Sequence, residues 1–305
     1  MGTLDKRRIT DPVLTKLARG YSNAGFVADK LFPHVTVYKE GGKIPQFNKE
    51  AFKIYNTERA IRADSNRISP DVHDSIDYTL TEHDLEYPMD YREINEDALP
   101  LKMHATNVVA EGIALRKEKL SADLAQDANN YATTNKVTLA SADKFDVDSS
   151  DPIKTIDTAR SAIRSQIARN PNVIVISNSV FTALKNHPSV TDKVKYTQHA
   201  VITAQLLRQL LQFESLYVAS AVYENDSGNL ADVWSDNVIL AYVPTKKPAR
   251  SFYEPSYGYT LQMKGFPLID TYDEKGKVKI VRNTDLFVPK IVGADAGFLI
   301  SDCLS

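Results

Sequence analysis

Apolar residues recur at helical spacing through the second hundred of this 305-residue chain. Leu101, Ala105, Val108, Val109, Ile113, Leu120, Leu124 and Tyr131 form the stripe, and their spacing predicts a helix over 99–131. Asp97 is placed to cap it, and Pro100 fits an early helical position. At 1.5 Å per residue such a helix runs roughly 45 Å, the length of a structural spine. Asp151-Pro152 starts a second helix whose stripe is Ile153, Ile156, Ile163 and Ile167. Asn170-Pro171-Asn172 ends it, and the unbroken run Val173-Ile174-Val175-Ile176 predicts a fully buried strand. Short helices are expected over 177–186 and 202–213, and strands over 216–223 and 238–243. Alternating helix and strand predict a compact α/β lobe spanning 151–247.

The remaining pattern is β-like. Val35, Val37, Ile44 and Phe47 alternate with polar residues around Gly41-Gly42, which predicts a hairpin at the root of an extended loop, 35–70. From Asn48 to Asn66 charges dominate and apolar residues are few, so this stretch has to lie on something other than its own core. Val72, Ile76, Tyr78 and Leu80 alternate with Asp71, His73, Ser75, Asp77 and Thr79, a strand with one wet face. Residues 1–34 read as an arm with one short helix starting at Asp11-Pro12, and 132–150 as a polar loop. Beyond 246 the chain turns β-rich, with strands expected at 257–263, 267–272, 277–282, 286–292 and 297–301.

Composition removes several classes of function. The formal charge is -2, with 43% hydrophobic and 25% charged residues, as in ordinary globular proteins. The sequence pI near 6.3 is far from that of a strongly basic nucleic-acid binder. Cys303 is the single cysteine, which excludes an intrachain disulfide, a cysteine-rich zinc site and a CxxC redox pair. No apolar run reaches the roughly 18 residues of a membrane helix, and the basic N-terminus lacks the apolar run of a secretory signal.

Charge is distributed unevenly. Residues 39–67 hold seven basic groups, Lys39, Lys43, Lys49, Lys53, Arg59, Arg62 and Arg67, against four acidic ones, a net of +3. Residues 71–97 hold ten acidic groups, among them Asp84, Glu86, Asp90 and Glu93, against Arg92 alone, a net of -9. A basic block followed by an acidic one permits charge-complementary contact, either within the chain or between copies of it. These eleven named residues are therefore the candidate inter-subunit contacts.

Chemical motifs are sparse. Neither GxGxxG nor GxxxxGK[ST] occurs, so the common phosphate cradles are missing. Gly20-Tyr21-Ser22-Asn23-Ala24-Gly25 is one residue too long for a nucleophile elbow and lacks the preceding buried strand. The tightest metal candidate is Asp71, His73 and Asp77, for which a solvated acidic face is the simpler reading. Phe47, Phe52 and Tyr55 interleave with basic residues as in single-strand nucleic-acid binders, but Glu50, Glu58 and Asp64 would repel phosphate. No catalytic, metal or cofactor site is assigned.

The order of parts, namely arm, charged loop, strand, long helix, α/β lobe and β-rich return, resembles the major capsid proteins of tailed bacteriophages with the Hong Kong 97 fold. The stretch Val27-Ala28-Asp29-Lys30-Leu31-Phe32-Pro33 entering a Gly-containing hairpin, and Asn172-Val173-Ile174-Val175-Ile176-Ser177 before a short helix, carry that resemblance. It implies an α+β fold with an N-terminal arm (1–34), an extended β-hairpin loop (35–70) and a peripheral domain (71–150) containing the spine helix 99–131. An α/β axial domain (151–247) and a β-rich return to the peripheral domain (248–305) complete it. It further implies self-assembly into hexamers and pentamers of an icosahedral shell around double-stranded DNA, each loop lying over a neighbour. Scaffolding, portal and decoration proteins are the implied partners, with non-specific DNA contact and no membrane. The implied location is the virion, after assembly in the host cytoplasm. An encapsulin-like nanocompartment is the alternative with the same fold, and a soluble enzyme using residues such as Asp71, His73 and Asp77 is the alternative of another class. Some relatives cross-link a loop lysine to a neighbour's asparagine with help from a glutamate. Lysines and Asn283 are available for this, but no spacing identifies a triad.

Overall fold

The computed structural model describes residues 9–10, 25–45, 54, 57–59, 61, 64–67, 75–96, 101–194, 202–244 and 256–305. The arm helix expected from Asp11, and the candidates Lys49, Lys53, Arg62, Asp71 and His73, lie outside them.

In chain order the strands are β1 (Ile9–Thr10), β2 (His34–Val37), β3 (Gly41–Pro45), β4 (Ser75–Thr79), β5 (Thr81–Asp90), β6 (Lys136–Thr138), β7 (Val173–Ser177), β8 (Ser215–Ala219), β9 (Val222–Glu224), β10 (Leu230–Asp232), β11 (Val238–Ala241), β12 (Gly258–Met263), β13 (Leu268–Glu274), β14 (Val278–Ile291) and β15 (Gly297–Ser301). The helices are α1 (Ala28–Leu31), α2 (Tyr91–Glu96), α3 (Leu101–Gln126), α4 (Pro152–Ile167), α5 (Asn178–Asn186), α6 (Pro188–Val194) and α7 (Ala204–Leu210). They surround two main sheets. One has the order β6-β15-β11-β7-β8; the other runs β1-β13-β14-β12-β2, with β5 on the free side of β14.

The α/β lobe follows from its sequence. All five residues of β7 are buried, as a strand between two others and under helices must be. Asp151 accepts from the Lys154 amide and Pro152 opens α4, whose four stripe isoleucines all reach the core. Ser177 caps α5 in the same way, accepting from the Val180 amide.

The spine, α3, is 26 residues long, about 39 Å. Among the described residues it runs from Leu101 and is followed by a 3-10 turn, so Tyr131 lies beyond its end. Its buried face is built chiefly from small residues rather than from the large ones of the expected stripe: Ala105 and Ala110 with Val109 at one end, Ala122 and Ala125 at the other. Val108 is exposed, and Leu120 and Leu124 are half-buried. Ala105, Val109 and Ala110 pack on Met89, Ile269 and Val281 of the six-stranded sheet, while Ala122 and Ala125 join the core of the α/β lobe. One helix thus serves two cores, and small side chains let both approach it.

Four expectations need correction. The strands flanking Gly41-Gly42 do not pair with each other: β2 runs parallel to β12, and β3 pairs antiparallel with β4. Gly41 and Gly42 are in β3 rather than in a turn, and a Cβ on Gly42 would meet the Tyr78 ring at 3.0 Å. The loop therefore rises from a β3–β4 ribbon, with its reversal beyond Pro45. The expected strands 277–282 and 286–292 are one 14-residue strand, β14, whose first part faces β13 and whose last part faces β12. The stretch 132–150 is not simply a polar linker, since it contains β6 and buries Phe145, whose amide bonds to the Cys303 carbonyl at 2.7 Å. Finally, β15 does not return to the β-rich sheet but pairs with β11 and β6, completing the sheet of the α/β lobe. Each of these depends on long-range pairing, to which local periodicity is blind.

Candidate assembly surfaces

The basic and acidic candidates meet different fates. Lys43 faces Asp77 across the β3–β4 ladder, with Nζ 3.9 Å from Oδ1 and both side chains exposed. Lys39 precedes β3 and is exposed, its carbonyl accepting from the Tyr78 hydroxyl at 3.5 Å. Arg59 and Arg67 are exposed on the loop. Asn66 Nδ2 donates to the Glu58 carbonyl at 3.0 Å. Ile54 and Ile61 are 101% and 94% exposed, apolar side chains that the chain's own core leaves uncovered.

The acidic candidates all have partners within the chain. Asp84 accepts from the Thr284 hydroxyl. Glu86 accepts from the Tyr272 hydroxyl at 2.7 Å and lies 3.6 Å from the Arg282 guanidinium, which is itself held bidentately by Asp270 at 3.1 and 2.7 Å. The Glu86 hydrogen bond pushes the Tyr272 hydroxyl up to about 12, and Asp270 raises Arg282 further above its ordinary value. Asp90 and Glu93 form a capping box on α2: Asp90 Oδ1 accepts from the Arg92 amide and Glu93 Oε2 from the Asp90 amide, each at 2.9 Å. Asp84, Glu86 and Glu93 nonetheless remain exposed.

Strand alternation sorts β5 into two faces. Leu85, Tyr87 and Met89 face α3. Leu85 sits over Gly112, the Tyr87 ring meets His104 edge-on at 6.2 Å, and Met89 is buried beside Ala105. Asp84 and Glu86 face the opposite side with Arg282 and Thr284.

The roots of the arm and loop are fixed by a buried knot that sequence reasoning missed. Glu118 of α3 is 2% exposed. Its Oε1 accepts from the Val27 amide (2.9 Å) and the Trp234 indole (2.7 Å), and its Oε2 from the Ala28 amide (2.9 Å). Burial pushes its carboxyl up, and the three hydrogen bonds only partly offset this. One residue earlier, Lys117 Nζ lies 3.4 Å from Asp29 Oδ1, which also bonds His34 Nε2 at 2.9 Å. Burial would raise the Asp29 carboxyl, but His34 and Lys117 outweigh it and hold it well below the carboxylate range. The sequence offers no distinguishing signal, because Glu118 sits in the charged run Arg116-Lys117-Glu118-Lys119 and shares its helix with Glu111.

No group of three or more metal-ligating side chains exists among the described residues. Of the candidate metal trio only Asp77 is described, and it pairs with Lys43. Asn283 is 3% exposed, its amide directed at the Val109 carbonyl (3.5 Å), so it is not displayed for cross-linking. No helix among the described residues is long and apolar enough to cross a membrane.

A long helix shared by two cores, an α/β lobe and a charged loop raised on a ribbon define a shell-building protein of the Hong Kong 97 type. The solved mature capsid of bacteriophage PhiM1 has this fold, with a TM-score of 0.55 and 13% identity over 92% of this chain and 87% of that one. The structure of a phage-related protein from Bordetella bronchiseptica RB50 is more similar, with a TM-score of 0.84 and 34% identity over 97% and 98% of the two chains. The major capsid protein of Burkholderia phage BcepMu is 50% identical over 303 residues, 99% of each chain. Residues 101–284 match the phage major capsid protein E family model. The chain belongs to that family, and it is a structural component of the phage virion capsid.

Proposed function

We propose that this protein self-assembles into hexamers and pentamers of an icosahedral head enclosing double-stranded DNA, each extended loop lying over the neighbouring copy. The observation that carries this reading is the loop itself. It leaves the β3–β4 ribbon with Ile54 and Ile61 almost wholly exposed, and a second copy is what can bury them. Lys39, Lys43, Lys49, Lys53, Arg59, Arg62 and Arg67 steer the loop toward the acidic segment holding Asp84, Glu86, Asp90 and Glu93. Exposed pairs contribute about 0–1 kcal/mol each, so their effect is multiplied only by repetition over the shell. The overall charge of -2 suits a container that must load and release DNA. Scaffolding, portal and decoration proteins are the proposed partners, and no catalytic role is assigned.

Replacing Lys49, Lys53, Arg59 and Arg62 with Glu is expected to block particle formation, seen by electron microscopy, while the subunits stay folded by circular dichroism. Normal particles would refute the docking scheme. The nucleic-acid content of wild-type particles separates a phage head from a protein-loaded nanocompartment.

A further inference from the structure

Where the root of the arm meets the spine, side chains from three elements converge on one ring nitrogen. His34 Nε2 of β2 lies 2.9 Å from Asp29 Oδ1 of α1 and 3.0 Å from Lys117 Nζ of α3. Lys117 Nζ lies 3.4 Å from the same carboxylate oxygen. An ammonium only donates and an ionised carboxylate only accepts, whereas a ring nitrogen does one or the other according to its proton. Nε2 therefore cannot hydrogen-bond both neighbours at once. Without a proton it accepts from Lys117, and the ammonium, shared with Asp29, ties β2 and α1 to the spine. With a proton it donates to Asp29, and the ammonium then meets an N–H instead of a lone pair. His34 Nδ1 gives no relief, because it is buried and has no hydrogen-bond partner among the described residues.

We propose that His34 is a proton-operated latch between the arm root and the spine: the neutral imidazole holds Lys117 and couples β2 to α3, and the imidazolium takes Asp29 and releases Lys117. Asp29 and His34 both belong to the arm root, so one proton exchanges a contact between elements for one within the root. The half-exposed Asp29 side chain leaves the proton a route from solvent. The other charged neighbours are committed elsewhere or lie one step out. Asp285 of β14 acts on His34, but its two carboxylate oxygens accept from the Gln262 amide of β12 at 2.8 and 2.9 Å. Glu118 acts on Asp29, and His83 of β5, stacked on Phe287 at 4.3 Å, stands in the fields of Arg116 and Asp285. Opposite His34 in β12 is Thr260, which carries no charge.

The chain's single tryptophan reports on the latch, because Trp234 donates to Glu118, the residue after Lys117. In the full-length protein, shown by circular dichroism to be folded at each pH, Trp234 emission is expected to pass through a one-proton transition between about pH 5 and 8, the range of an imidazole. His34→Gln and Lys117→Met are each expected to abolish the transition, and His83→Gln to keep it. Imidazole nitrogen NMR on the wild type gives a direct measure. Above the transition His34 is expected to carry its proton on Nδ1 with Nε2 bare, and below it to carry one on each. A transition that survives in His34→Gln or Lys117→Met, a wild type without one, or a neutral His34 protonated on Nε2 would each overturn the proposal. If either variant fails to fold, the nitrogen shifts of the wild type decide alone.

Discussion

The Trp234 indole donates to Glu118 across 116 positions of sequence, at 2.7 Å and away from solvent. It joins the α/β lobe to the spine at the point where the backbone amides of Val27 and Ala28 bring in the root of the arm. Removing the carboxylate leaves three buried donors without acceptors. Glu118→Ala is expected to cost about 2–5 kcal/mol, read from the urea midpoint. Because Trp234 is the chain's only tryptophan, its emission is expected to shift red in the folded variant.

The two carboxylates of this knot give opposite pH signatures. The carboxyl of Glu118 is raised by burial, so the folded state holds its proton more tightly than the unfolded chain does. Its contribution to stability therefore falls as pH rises through that raised value. Asp29 is held below its ordinary value of 3.8, so its contribution is present above that pH and is lost as pH falls through the lowered one. Asp29→Asn is expected to destabilise the protein at neutral pH, and the gap to wild type should close as the pH of the denaturation series drops below 4. A constant gap would contradict the assignment.

Leu85 Cδ2 lies 2.6 Å from where a β-carbon on Gly112 would stand. Alanine normally favours a helix over glycine by about 1 kcal/mol, but here overpacking of about 1–3 kcal/mol opposes it. Gly112→Ala is expected to be neutral to destabilising. Adding Leu85→Ala should recover the helix gain, a non-additivity that a double-mutant cycle detects.

Asn172 holds the end of the α4–β7 connection by both ends of its amide. Nδ2 donates to the Val243 carbonyl at 2.7 Å, and Oδ1 accepts from the Val243 amide at 2.8 Å. Asn172→Ala strands both buried groups, with an expected loss of about 2–4 kcal/mol in chemical denaturation.

Burial pushes the Cys303 thiol up, with Asp236 adding to the effect. The native protein is expected to react with a thiol reagent only as fast as it opens, and fully on unfolding. Rapid stoichiometric labelling under native conditions would contradict the packing of the C-terminus.

Local pattern in the sequence was enough for the α/β lobe. The Asp151-Pro152 cap, the isoleucine stripe and the unbroken Val173–Ile176 run each encode a structure within a few residues, and each is present as expected. The existence of the spine was equally legible, because a long helical period is a local fact. Partner choice was not. Whether Gly41-Gly42 turns or continues, which sheet receives β15, and where Glu118 finds its three donors are all decided by residues from tens to more than a hundred positions away. The charge blocks were visible as totals, but Glu86 with Arg282 and Asp90 with Glu93 show that charge is committed pair by pair, in distances that only the folded chain sets. Hydrophobic and capping preferences act over a turn or a strand; pairing across sheets obeys the geometry of the whole molecule.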